Sequence, residues 1–142
     1  MVKLKQLLLE NDTEPLDILK PRRSKEERAK NWKVAVYKQI QKYIKNGSTG
    51  DLDLSDTPIT SLPDNLRVGG YLNLWNTPIK SLPDNLSVGG YLNLGYTPIE
   101  SLPDNLSIGG DLYLWNTPIS KKYSKEEIRR MVSKVKGKVH LW

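Results

Sequence analysis

The sequence predicts an α+β repeat protein: a short parallel β-solenoid of about four coils, with helical caps at its N- and C-terminal ends. Three observations predict it. From Gly50 onward the chain repeats itself every 20 residues. Within each unit apolar and polar residues alternate as they do along a strand. On both sides of the repeats, helix-start signals precede apolar stripes. A fixed period of roughly 20–30 residues marks a solenoid, in which no unit can bury its apolar side alone and each one stacks on its neighbours.

The units are GDLDLSDTPITSLPDNLRVG, GYLNLWNTPIKSLPDNLSVG and GYLNLGYTPIESLPDNLSIG, followed by a partial GDLYLWNTPIS that ends at Ser120. Leu52/Leu54, Leu72/Leu74, Leu92/Leu94 and Leu112/Leu114 are expected to point inward. Ile59, Ile79, Ile99 and Ile119 follow, then Leu62, Leu82 and Leu102, then Leu66, Leu86 and Leu106. Val68, Val88 and Ile108 complete the inward set. Equivalent strands of successive coils should pair in parallel, ~4.8 Å apart. Pro58, Pro78, Pro98 and Pro118 hold the preceding threonines extended. Pro63-Asp64-Asn65 and its copies place Pro and Asx where a tight turn uses them, with the aspartates expected to cap backbone. The pairs Gly69-Gly70, Gly89-Gly90 and Gly109-Gly110 mark a corner that needs positive φ or close backbone approach.

The flanks divide the chain into residues 1–49, 50–120 and 121–142. In the first, Ser24-Lys25-Glu26-Glu27 is a capping box. It predicts a helix running to Lys45 and stopping at Asn46-Gly47, with Ala29, Trp32, Val36, Ile40 and Tyr43 on its apolar face. An earlier helix is expected near Val2–Glu10, and Pro15 and Pro21 interrupt the link after it. In the last segment Ser124-Lys125-Glu126-Glu127 repeats the capping device. Ile128, Met131, Val132 and Val135 form its stripe, Gly137 is the expected stop, and Lys138–Trp142 alternates like a short strand. A solenoid's open ends need such covers.

Charge is segregated. Residues 1–49 carry 12 Lys/Arg against 6 Asp/Glu, residues 50–119 carry 2 against 8, and residues 120–142 carry 8 against 2. An acidic middle therefore lies between two basic ends, which bears on association rather than on fold. The absence of cysteine excludes disulfides and thiolate metal sites and suits a reducing cytoplasm, the expected location. No apolar run approaches the ~20 residues of a membrane span, so no membrane association is expected.

Function is sought where side chains face out. The residues that alternate with the inward leucines form a grid: Asp51, Asp53 and Ser55; Tyr71, Asn73 and Trp75; Tyr91, Asn93 and Gly95; Asp111, Tyr113 and Trp115. Tyrosine and tryptophan offer large, stiff, amphipathic contact area, and exposing several on a small protein costs solubility unless they are used. Tyr71, Trp75, Tyr91, Tyr113 and Trp115 are the expected anchors. Asn73, Asn93, Asp53 and Asp111 supply polar selectivity, and Gly95 leaves a notch for a partner side chain. The same tyrosines would also stack on one another along the ladder. A second set, Lys38, Lys42 and Lys45 on one helix face with Arg22-Arg23, Lys121, Lys122, Arg129 and Arg130, suits phosphate or an acidic protein. Asp51, Asp53 and Asp56 are placed to meet lysines of the N-terminal cap. The single histidine, His140, has no nucleophile or metal partner in sequence. No cofactor, no metal and no enzymatic activity is expected.

The pattern L-x-L-x-x-T-x-I-x-x-L-P-x-x-L resembles the leucine-rich repeat. Its 20-residue length and Leu-Pro resemble the short repeats of bacterial secreted effectors. The unit T-P-I-x-S-L-P-D-N-L-x-V-G-G looks closer to leucine-rich-like proteins encoded by tailed bacteriophages. The resemblance covers residues 50–120 and departs at Thr57, Thr77, Thr97 and Thr117, where most such families carry an asparagine ladder. It implies that the outward sheet face is the ligand surface. It also implies a viral accessory protein that binds a host-encoded protein in the host cytoplasm, such as an inhibitor of a bacterial defence system. Two other readings stand beside it: a nucleic-acid binder using the basic flanks, and a structural virion component assembling through its caps.

Overall fold

The structure, a computed structural model, describes residues 24–142. The helix expected near Val2–Glu10, Pro15, Pro21 and the Arg22-Arg23 pair lie outside the described residues. The chain falls into two compact units, Met1–Lys30 and Asn31–Trp142. The described part of the first begins α1 (Lys25–Lys45) with the predicted capping box. The Glu27 N–H donates to Ser24 Oγ at 3.1 Å, and the Ser24 N–H donates to Glu27 Oε2 at 3.3 Å.

The second unit holds the rest of α1. Its last turn closes with a paired bond: the Ser48 N–H donates to the Tyr43 carbonyl and the Gly47 N–H to the Ile44 carbonyl. Gly47 sits at φ 92°, the left-handed position that lets a helix end this way. Only part of the expected apolar face is used. Val36 and Ile40 are buried and Tyr43 is half-buried, but Ala29 and Trp32 are exposed. Burial, not periodicity, decides where a stripe stops, and Val36 is the first residue of the described helix that is buried. Tyr43 also has a polar use. Its hydroxyl accepts the Gly69 N–H at 3.2 Å and lies 3.0 and 2.8 Å from the Ser48 and Gly50 carbonyls, tying the helix end to the first corner.

The repeats wind into a parallel β-solenoid of two sheets. One runs β1 (Leu52–Asp53), β3 (Leu72–Asn73), β5 (Leu92–Asn93), β7 (Leu112–Tyr113) and β8 (Val139–His140). The other, not foreseen in the sequence, runs β2 (Arg67–Val68), β4 (Ser87–Val88) and β6 (Ser107–Ile108). Every pairing keeps the repeat register: Leu52 lies beside Leu72, Leu72 beside Leu92, and Leu92 beside Leu112. All the predicted inward side chains are buried except Leu102, which is half-buried. Each buried Leu or Ile contributes roughly 1.5–3 kcal/mol relative to exposure.

The coil corners follow from a few residues. After each first-sheet strand, Asp56, Asn76, Tyr96 and Asn116 take left-handed φ near 49–57°. The next threonine hydroxyl then donates to the leucine carbonyl three residues back, at 2.6–2.8 Å. The threonine column therefore braces each coil from within. At the second corner Asn65 and Asn85 are left-handed at φ 60° and 61°, and Asn85 Nδ2 donates to Asn65 Oδ1 at 3.1 Å. Asp64, Asp84 and Asp104, expected to cap backbone, make no side-chain hydrogen bond among the described residues, and the register contact at this corner is made by the asparagines. At the third corner backbones run close. The Gly89 N–H donates to the Val68 carbonyl at 2.7 Å, and a Cβ on Gly89 would overlap the Gly69 carbonyl oxygen.

The solenoid makes about three full turns rather than four. The fourth repeat supplies β7 and buried Leu112, Leu114 and Ile119, then enters the unforeseen helix α2 (Pro118–Lys122), capped by Thr117. The helix α3 (Lys125–Met131) follows, with the predicted Ser124–Glu127 capping box. It stops well before Gly137. Ile128 and Val132 are buried, Met131 is exposed, and Val135 is buried on an extended segment that bridges Ile108 in parallel. The reason is a concealed half-repeat. Lys134–Leu141 reads K-V-K-G-K-V-H-L and stacks on S-I-G-G-D-L-Y-L of residues 107–114. Val135 pairs with Ile108, the Gly137 N–H donates to the Gly110 carbonyl, and Val139 pairs with Leu112. Gly137 is thus the close-approach glycine of a corner rather than a helix stop.

Candidate functional site

The outward face of the five-stranded sheet collects the predicted grid and extends it by one row, Lys138, His140 and Trp142. The strand period of two turns these side chains away from the leucines. Five of their rings, those of Tyr71, Tyr91, Tyr113, His140 and Trp115, form one connected series. Tyr71 stacks on Tyr91 with centroids 4.8 Å apart and planes 7° from parallel. Tyr91 meets Tyr113 edge-on at 5.7 Å, and Tyr113 stacks on His140 at 4.6 Å. Tyr113 also meets Trp115 edge-on at 5.0 Å. The strand spacing in a parallel sheet is close to the stacking distance of aromatic rings, so residues in register become a column. Tyr71, Tyr91, Tyr113, Trp75 and Trp115 are each half-buried. Burial, with Tyr71, Asp53, Asp51 and Tyr113 adding to it, pushes the Tyr91 hydroxyl above the usual tyrosine range.

Several predicted contributors are already engaged. Asn73 Oδ1 accepts the Trp75 N–H at 3.2 Å, and Asn93 Oδ1 accepts the Gly95 N–H at 3.0 Å. Their amide nitrogens make no hydrogen bond among the described residues. Asp53 Oδ1 accepts from the N–H and hydroxyl of Ser55, Asp51 Oδ1 from the Tyr71 N–H, and Asp56 Oδ1 from Asn76 Nδ2. This acidic cluster therefore braces the first two coils, and among the described residues its side-chain partners are these groups rather than lysines of the cap. The notch expected at Gly95 is filled. Gly95 is buried, and an added Cβ would lie 2.9 Å from Trp75 Cδ1.

Two functional candidates were missed by sequence reasoning. Tyr96 stands where the other units have Asp56, Asn76 and Asn116, and it adopts the same left-handed backbone at φ 57°. A bulky side chain pays more than an Asx residue for that conformation. The ring is 52% exposed and meets Trp75 edge-on at 5.4 Å. The signal was available in the repeat itself, where Gly95-Tyr96 replaces the Trp-Asn of its neighbours. Trp142 is 97% exposed, and with Tyr96, Trp115, Asn116, Ser120, Lys121 and Leu141 it borders an open cleft of about 470 Å³. Beside it, the Trp115 Nε1–H is buried without a hydrogen-bond partner.

His140 is held in place. Its Nε2 lies 3.0 Å from Asp111 Oδ2 while Asp111 Oδ1 accepts the Lys138 N–H at 2.8 Å. The Lys138 N–H bond and then the His140 bond hold the Asp111 carboxyl below the usual aspartate range. With Tyr113 stacked on its face, the histidine is a fastening of the terminal strand. Of the basic set, Lys38, Lys42 and Lys45 are exposed on α1, and Lys121, Lys122 and Arg130 are exposed around α2 and α3. Arg129 instead donates from Nη1 to the carbonyls of Val135 and Gly137, securing α3 to the half-repeat. Among the described residues no group of three His, Asp or Glu side chains is placed to hold a metal ion, and no helix is long and apolar enough to cross a membrane.

No protein-family model matches the chain, nor does any curated protein or any solved structure.

Proposed function

We propose that this protein is a non-enzymatic binding module that captures a protein partner on the outward face of its five-stranded sheet. The observation that carries this reading is the continuous aromatic series Tyr71, Tyr91, Tyr113 and His140, flanked by Trp75, Tyr96 and Trp115. Rings locked against one another lose little entropy on binding, and their edges and hydroxyls offer apolar and polar contact together. The strained, half-exposed Tyr96 supports the same reading, because an outlier that the fold does not need points to use. The resemblance of residues 50–120 to leucine-rich-like phage repeats supports a finer version: a viral accessory protein that occupies a host component, such as part of a defence system.

The test is capture from nuclease-treated bacterial lysate, comparing the wild type with Tyr71→Ala/Tyr91→Ala. A protein band retained by the wild type and lost by a variant that still melts cooperatively is the expected result. A band held equally by both proteins, or capture of nucleic acid alone in an untreated lysate, would remove the sheet face as the site.

A further inference from the structure

A second surface lies away from the aromatic face, wholly within the unit Asn31–Trp142. Between α1 and the first coil runs a groove of about 330 Å³, with Val34, Tyr37, Pro58 and Ile59 on its walls and Lys33 and Lys38 at its rim. Val34 and Tyr37 are each about half exposed (49% and 50%) although both are large and apolar in body. They take no part in the Val36–Ile40 stripe that seals the coil. Among the described residues no carboxylate lines the groove. Lys42 and Lys45 follow Lys38 along the same helix face, so the cationic row extends about 10 Å at 1.5 Å per residue. The groove volume sits at the low end of ligand-sized clefts, roughly 300–1,000 Å³, which suits one or two side chains rather than a folded surface.

We infer that this groove binds a short acidic segment of a protein partner, which inserts an apolar side chain between Tyr37 and Ile59 and sets its carboxylates against the lysine row. Charge complementarity selects this occupant. The charged groups at the rim are the lysine ammoniums, which favour carboxylates, with Gln41, Thr60 and Ser61 as neutral polar neighbours, and the apolar walls gain only from a side chain that leaves water. A nucleic-acid backbone would satisfy the lysines but brings no aliphatic group to the walls. This site is independent of the sheet face and does not rest on the aromatic reading.

The experiment is selection of short randomised displayed peptides on the full chain, followed by titration of the enriched peptides against variants. Enriched sequences are expected to carry an apolar residue with Asp or Glu within a few positions. Their affinity should fall at least about tenfold in Val34→Asp and in Lys33→Glu/Lys38→Glu, and stay unchanged in Tyr71→Ala/Tyr91→Ala. These substitutions sit at exposed helix positions, and an unchanged melting temperature checks that the fold survives. Absence of enrichment over Lys33→Glu/Lys38→Glu as bait would overturn the inference. So would binding indifferent to Val34→Asp, or complete displacement of the peptide by oligothymidylate, which would make the lysine row a phosphate site.

Discussion

Tyr96 shows how one residue separates fold from use. Three units place Asp or Asn at this left-handed corner, where a short polar side chain tolerates positive φ. Tyr96→Asn should therefore raise stability, by about 0.5–1 kcal/mol, because it removes the strain and costs only the edge contact with Trp75. Denaturant unfolding measures this directly. The same variant should bind the sheet-face partner more weakly. A variant that is both less stable and fully active would show that Tyr96 is there to pack. Gly95 belongs to the same exchange. Read alone in the sequence it looks like a gap in the grid, but the indole of Trp75 from the preceding coil occupies the space. Which neighbour fills a gap depends on side-chain reach between coils, and the spacing of residues does not carry that.

At the scale of elements, the capping boxes at Ser24 and Ser124 and the stop at Asn46-Gly47 were legible because each is local chemistry: an orphan N–H or carbonyl finds a partner within a few residues. The second sheet was not legible. Its strands are as short as those of the first sheet and alternate as they do, but they lie between the Pro-Asp-Asn turn and the Gly-Gly corner and so read as part of the turn, and only pairing with the next coil makes them strands. The half-repeat Lys134–Leu141 was hidden by substitution of every residue except a glycine and the terminal leucine. Its attachment depends on charge as well as register. Asp111 has its carboxyl lowered by the Lys138 N–H and His140, so the clamp contributes stability above an aspartate's ordinary value near 3.8. That contribution is lost as pH falls below 3.8 through the folded value, and the group is exposed enough for salt to weaken it. Thermal melts taken downward from pH 5 should show the wild type losing more than Asp111→Asn. Parallel loss in the two proteins would mean that the clamp adds nothing.

At the scale of the whole molecule, each coil touches only its neighbours, and all share one register. Stability should then be close to a sum of coil and interface terms. Excision of residues 70–89 joins Gly69 to Gly90 and keeps every corner type. The shortened chain should still unfold cooperatively in circular dichroism, at a lower temperature. Loss of a cooperative transition would show that the ends, rather than the stacking of like coils, hold the structure together. The excision also removes Tyr71 and Trp75, so the aromatic series shortens from one end and partner capture should weaken in proportion.

The sequence by itself determined the coil: its period, its inward leucines, the turn at Pro-Asp-Asn, the close-approach glycines, and the starts of α1 and α3. All of these are contacts repeated at a constant interval or closed within one turn of chain, so a pattern records them. The tertiary structure alone decided where the repetition ends, which aromatic rings are committed to one another, which carboxylates are already satisfied, and that α1 leaves a lysine-rimmed groove against the first coil. Those outcomes depend on how far an apolar surface reaches and on which side chain arrives first at a shared space. Both are set by distances between residues that the linear order keeps apart.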